Sequence, residues 1–213
     1  MAGGLGSTPR RFRQAFLVVI YGAILASGSS TRMGRAKALL PLPGSGRTFV
    51  AHIADTLIGG GVDAVFVVGK PDDEALRAEV GTLAPLVRYV ENPRYESGQL
   101  SSVLAALDVV DQPAVRGLLI VPVDMPLIRA ATVATLLDAF NTSQLAIARA
   151  THHQRHGHPV IFGRAAFDLL RVADPAQGAR AVVHALPLLD VEVEDDGVVR
   201  DIDTPADYEE LLR

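Results

Sequence analysis

The 213-residue chain is predicted to be an α/β protein of three layers. A mostly parallel sheet carries helices on both faces, with a small antiparallel addition in the C-terminal third. Three observations carry this expectation. Short apolar runs alternate with segments whose apolar residues recur at i, i+3, i+4 and i+7. The runs are continuous rather than alternating, as in strands buried on both faces. After residue 150 the rhythm breaks into a polar, histidine-rich stretch followed by further strands. AVILMFWYC residues make up 49% and charged residues 21%, a globular balance rather than a disordered one. The length suits one good core better than two domains and a linker, so 15–213 reads as one domain.

The first run, 15–26, lies behind a basic start, "RRFRQAFLVVIYGAILASG", and so has the outline of a secretory signal. It is about half the roughly twenty apolar residues that a membrane span needs. A buried strand leading into a Gly/Ser loop with Arg and Lys is the better reading, because cleavage near Ala26 would cut that loop apart. Residues 1–14 are expected to be a disordered basic tail. Strands follow at "DAVFVVG" (63–69), "LVRYVE" (86–91), "RGLLIVPVD" (116–124) and "QLAIARA" (144–150). Between them "TFVAHIADTLIGGG", "DDEALRAEVGTL", "QLSSVLAALDVV" and "RAATVATLLDAF" have helical spacing. The last third offers strands at "HPVIFG" and "LPLLDVEVE", two short helical segments and a closing helix. Thr204 can cap that helix, Pro205 suits its first position, and Asp207 sits where a capping-box acid would.

Composition excludes several function classes. A net charge of −4 and the lack of a basic face with interleaved aromatics argue against nucleic acid as a partner. The lack of cysteine removes disulfides, thiolate catalysis and cysteine metal sites. It also fits a reducing compartment, and the chain is expected in the cytoplasm, with no membrane partner.

In an open parallel sheet, ligands bind beyond the carboxyl ends of the strands, so polar residues there are the candidates. "AILASGSSTRMGRAK" (23–37) turns at Gly28, and successive N–H groups after it can form an anion-binding concavity. Arg32 and Lys37 add positive charge around a polyphosphate. The chain has 18 arginines and only two lysines, Lys37 and Lys70, so a lysine in this loop stands out. The loop matches neither the P-loop nor the three-glycine dinucleotide pattern, and a solvated surface loop is the bland alternative. In "VPVDMPLI", Asp124 follows a strand, where a carboxylate can reach a ligand or Mg²⁺; the alternative is a turn aspartate. In "RDIDTPADY", Asp201 and Asp203 point the same way if the segment is extended, and one of them with Asp124 could hold a single Mg²⁺. The alternative there is an exposed acidic turn.

"LASGSSTRMGRAK", "VPVDMPLI" and "DIDTPADY" together resemble, in order, the signature of the MobA-like nucleotidyltransferases. With "GHPVIFGR" (157–164) and "QGARAVV" (177–183), the resemblance runs from about residue 17 to the C-terminus. It implies a Rossmann-like domain of the nucleotide-diphospho-sugar transferase type. Within the family the pattern is closest to molybdenum cofactor cytidylyltransferases. Guanylyltransferase relatives usually read Leu-Ala-Gly-Gly in the first loop and Gly-Pro-Leu-Ala-Gly in the base-contacting loop. This chain reads Leu25-Ala26-Ser27-Gly28 and "NPRYESGQLSS" (92–102), and Ser27 stands where cytidylyltransferases usually carry alanine.

The resemblance implies transfer of a nucleoside monophosphate from an NTP, CTP favoured, to the terminal phosphate of a molybdopterin-type cofactor. It implies Arg32, Lys37 and Asp124 as catalytic residues, and Asp124 with Asp203 as Mg²⁺ ligands. Nucleotide contacts would come from Leu25, Ala26, Ser27, Gly28, Lys37, Asn92, Gly98, Ser101 and Ser102. A recipient molybdoenzyme or its chaperone is an expected partner. Another phosphorylated metabolite such as a sugar phosphate is an alternative acceptor, and a non-catalytic nucleotide or cofactor binder is a reading of a different class. "THHQRHGHP" places His152, His153, His156 and His158 within seven residues. A solvated loop, binding of an anionic pterin by Arg155, His156 and His158, and a metal site all stay open, although no carboxylate lies among these histidines.

Overall fold

The structure, a computed structural model, describes residues 19–28 and 36–212. The expected tail at 1–14 lies outside them. Seven strands form the main sheet: β1 (Val19–Leu25), β4 (Val65–Gly69), β5 (Val87–Glu91), β6 (Val115–Pro122), β7 (Ile147–His152), β8 (Arg155–Gly163) and β9 (Leu188–Glu192). A two-stranded antiparallel ribbon, β2 (Pro41–Leu42) with β3 (Arg47–Thr48), stands apart. The helices are α1 (Phe49–Gly59), α2 (Glu74–Gly81), α3 (Gln99–Val110), α4 (Ala130–Thr142), α5 (Phe167–Val172), α6 (Ala179–Ala185) and α7 (Pro205–Glu210).

The sheet order is β5-β4-β1-β6-β8-β7-β9. β1 pairs in parallel with β4 and β6, and β4 with β5. β8 is antiparallel to both of its neighbours, while β9 returns parallel to β7. The expected antiparallel addition is therefore one strand, β8, inserted between two parallel ones. Along β6, side chains alternate between the two faces. Leu119 and Val121 belong to the core layer that also takes in α1, α2 and α4, whereas Leu118 and Ile120 belong to the layer that takes in α3, α5 and α6. This two-sided burial is why the strands read as continuous apolar runs.

The histidine-rich stretch is not a loop. His152 ends β7, Arg155 begins β8, and only His153 and Gln154 turn between them, with φ of 48° and 63°. Two consecutive positive φ values are the signature of a tight two-residue hairpin, whose twist suits the strands it joins. A stretch without apolar alternation reads as a loop, but here the pairing of Thr151 with His156 and of His152 with Arg155 sustains the ladder.

The closing helix is built as its sequence suggests. Thr204 Oγ1 accepts from the Asp207 amide at 3.2 Å and Asp207 Oδ2 accepts from the Thr204 amide at 2.7 Å, a complete capping box. Tyr208 then donates its hydroxyl to the Pro41 carbonyl at 2.7 Å, which ties α7 to the ribbon beside residue 37.

Candidate active site

β1 leads through α1 to β4 on one side, and the chain later crosses to β6 on the other. β1 and β6 thus flank the switch point where open α/β sheets bind ligands. A cleft of about 560 Å³ opens there, beyond the strands' carboxyl ends. Leu25, Ser27 and Gly28 come from β1, and Pro122, Val123 and Asp124 from β6. Lys37 and Asp203 complete this end of the cleft.

Lys37 opens a short 3-10 turn (Lys37–Leu39) anchored by buried Ala38 and Leu40. Its Nζ lies 2.5 Å from Asp203 Oδ1 and 3.6 Å from Asp124 Oδ2. Between the two acids runs a direct backbone link, with the Ile202 amide donating to the Asp124 carbonyl at 2.7 Å. Ile202 is fully buried against Leu40, Leu42 and Phe49, which holds Asp203 at the cleft, while Asp201 on its other side is exposed and does not line it. Burial pushes the Asp124 carboxyl up from its ordinary range; Lys37 opposes that shift and the Asp203 charge adds to it. Two carboxylates converging on one cation form a hard oxygen donor set, which fits a divalent ion such as Mg²⁺ or Mn²⁺. Arg32 lies outside the described residues.

Ser27, Gly28, Gly98 and Ser102 line the cleft, while Ala26, Asn92 and Ser101 do not. Asn92 is buried beneath it, and its Nδ2 donates to Ser101 Oγ at 2.8 Å and Ser102 Oγ at 3.2 Å. Ser101 donates its own hydrogen to the Gly98 carbonyl at 2.7 Å. Ser27 Oγ and Ser102 Oγ are 2.5 Å apart and share one hydrogen. Either direction of that bond leaves the pair one hydroxyl hydrogen to donate into the cleft. Ser27 therefore stitches the first loop to the start of α3.

Sequence reasoning missed Lys70, which follows β4 and lines the same cleft with Tyr95, Glu96 and Gln99. Its ammonium lies 4.9 Å from the Tyr95 ring centre. The signal was the scarcity of lysine, since both lysines of the chain face this cleft.

A second cleft of about 450 Å³ shares Leu25 and Gln99 with the first. His156 and His158 line it, as do Arg149, Arg180 and His184, which the sequence did not single out. Arg155 lines neither cleft; its guanidinium donates to the Val199 carbonyl at 3.5 Å. Arg149 is paired with Asp190 at 2.8 Å.

His158 Nδ1 donates to the Ile120 carbonyl at 3.3 Å, and burial lowers its pKa from 6.5 to about 4. The folded protein thus holds the ring neutral at pH values where the unfolded chain protonates it. Stability is expected to fall as pH drops from about 6.5 through about 4, by on the order of 3 kcal/mol from this residue. Urea melts of wild type and His158→Gln check this. The variant's stability should vary less over that window, and parallel losses would clear His158 of the effect.

The model of the MobA-like NTP transferase domain matches residues 22–191. The chain belongs to this family. It is an enzyme of nucleotidyltransferase type. A probable molybdenum cofactor guanylyltransferase of Rhodopirellula baltica is 35% identical over 138 residues, 64% of this chain and 64% of that protein. Nicotine blue oxidoreductase of Paenarthrobacter nicotinovorans is 32% identical over 206 residues, covering 92% of this chain and 98% of the relative. Among solved structures, Rv0371c of Mycobacterium tuberculosis superposes with a TM-score of 0.77 at 27% identity, covering 92% of this chain and 98% of the other. Rv0371c has also been solved in complex with manganese. No helix among the described residues is long and apolar enough to cross a membrane.

Proposed function

We propose that the protein transfers CMP from CTP to the terminal phosphate of a molybdopterin-type cofactor in the cytoplasm, releasing pyrophosphate. The product would pass to a recipient molybdoenzyme or its chaperone. The observation that carries this reading is the Lys37 ammonium set between Asp124 and Asp203 at the switch point of the sheet.

An acceptor phosphate oxygen bonds to the α-phosphorus as the bond from that phosphorus to the β-phosphate's bridging oxygen breaks. The nucleophile is already anionic, so no side chain needs to take a proton from it. Catalysis then consists of positioning and charge neutralisation. Asp124 and Asp203 would hold Mg²⁺, which supplies positive charge and a template for the triphosphate. Lys37 neutralises charge developing on the leaving pyrophosphate, and Arg32 is assigned the same task from the family pattern. The spare hydroxyl hydrogen of the Ser27–Ser102 pair donates to the base. The second cleft takes the acceptor, with Arg180 and His184 lining it for the anionic groups and His156 beside Asp190 at 3.7 Å.

CTP is preferred because the serine-bearing stretch 92–102 has the cytidylyltransferase form; GTP is the competing base, since curated relatives are named guanylyltransferases. Pyrophosphate release from ATP, CTP, GTP and UTP with Mg²⁺, with and without molybdenum cofactor, tests the reading. Cofactor-dependent release with CTP is expected. No release under any condition would overturn it. The relative covered along 98% of its length has an oxidoreductase name, which favours one rival reading. Oxidation of NADH or NADPH with an electron acceptor, in place of pyrophosphate release, would select that rival.

A further inference from the structure

The carboxylate that "THHQRHGHP" lacks in sequence is supplied in space by β9. His152, His153 and Glu192 each bring one ligand atom, and these atoms lie within 4.8 Å of one another. The β7–β8 hairpin turns at His153 with φ of 48°, so two adjacent histidines end up with ring centres 4.1 Å apart. Glu192 lies across from Thr151 in the parallel β7–β9 register. Its carboxylate is already oriented, with Oε2 accepting from Thr151 Oγ1 at 2.8 Å and Oε1 from the His153 amide at 2.6 Å. The His152 ring is oriented too. Its Nδ1 donates to the Val193 carbonyl at 2.8 Å, which fixes the tautomer and leaves Nε2 with the lone pair. A ring N–H held by a backbone carbonyl and a carboxylate held by a hydroxyl are the outer supports that imidazole–carboxylate metal sites use.

We propose that His152, His153 and Glu192 form a second metal site, for a borderline divalent ion of the Zn²⁺ class. Two imidazoles and one carboxylate suit such an ion, whereas the Asp124 and Asp203 pair offers only oxygen and suits Mg²⁺. His153 and Glu192 are exposed, so water completes the coordination. The ion clamps the hairpin tip to β9. The same hairpin carries His156 and His158 into the second cleft, so occupancy stiffens one wall of that cleft. The proposal stands independently of nucleotidyl transfer.

The test is a Zn²⁺ titration of chelator-treated full-length protein by calorimetry, with excess Mg²⁺ present, alongside Co²⁺ absorption spectra. One Zn²⁺ per chain, a Zn²⁺-dependent rise in Tm and a visible Co²⁺ band are expected. His153→Asn keeps a residue that tolerates positive φ, and Glu192→Gln keeps the shape of the side chain. Each should weaken Zn²⁺ binding at least tenfold and abolish the Tm rise, while the Tm without metal stays near that of wild type. Asp124→Asn should leave Zn²⁺ binding unchanged. Absence of Zn²⁺ binding by the wild type, unchanged affinity in the double variant His153→Asn/Glu192→Gln, or loss of binding in Asp124→Asn would each overturn the proposal.

Discussion

Lys37→Ala is expected to lower kcat for pyrophosphate release by a hundredfold or more, with the concentration of divalent ion needed for half-activation reduced. The Lys37 side chain is only 11% exposed and its ammonium lies 2.5 Å from one carboxylate and 3.6 Å from another, so its charge acts where water screens it weakly. Losing one preorganised charge at such a place costs about 2.7 kcal/mol or more of transition-state stabilisation, which is about a hundredfold in rate. The metal dependence moves the other way, because the ammonium competes with the ion for the same carboxylate oxygens. Removing it leaves Asp124 and Asp203 facing one another without that cation, a stronger divalent site if anything. Steady-state rates across an Mg²⁺ titration read both quantities. Near-wild-type kcat would remove Lys37 from the mechanism.

How much of this was legible in the sequence depends on the distance over which each feature is specified. The β1-to-β6 alternation and the α7 capping box are local, and "DTPADY" alone predicts Thr204 and Asp207 capping each other. Asp124, Asp203 and Lys37 were legible as one site through the family resemblance, but the contacts that bring about their convergence were not. That convergence depends on Ile202 burying itself against Leu40 and Phe49 and donating to the Asp124 carbonyl. α4 is a similar case. Its N-cap residue, Arg129, makes no side-chain cap, and the missing acceptor is Asp195, which takes the Arg129 amide at 2.9 Å and the Thr132 hydroxyl at 2.5 Å. Asn92 is a ligand contact by the family resemblance, but its amide is spent on Ser101 and Ser102. Distinguishing a contact residue from one that positions contact residues needs the hydrogen-bond inventory of the folded site. The hairpin at His153 escaped for another reason: its turn uses His and Gln at positive φ rather than the glycine or asparagine that marks such turns.

Asp124→Asn is expected to lower kcat by a hundredfold or more, like Lys37→Ala, and to raise the divalent ion concentration needed for half-activation. Asparagine keeps the shape of the side chain, and the Ile202 link to the residue 124 backbone carbonyl does not involve the side chain. What is lost is one anionic oxygen from a two-carboxylate set, and a neutral amide is a far poorer ligand for a hard cation. Folding should hardly suffer. Burial already disfavours the charged form of Asp124, and Lys37 retains Asp203 at 2.5 Å, so stability is expected within about 1 kcal/mol of wild type. Urea melts check that point, and rates over an Mg²⁺ titration check the rest. An unchanged metal requirement would exclude Asp124 as a ligand. The two substitutions are therefore most informative as a pair. They remove opposite charges from one cluster and are expected to depress turnover alike, yet to move the metal requirement in opposite directions. Movement in the same direction would mean that Lys37 serves the cluster by holding the carboxylates in place for the ion, not by acting on the triphosphate.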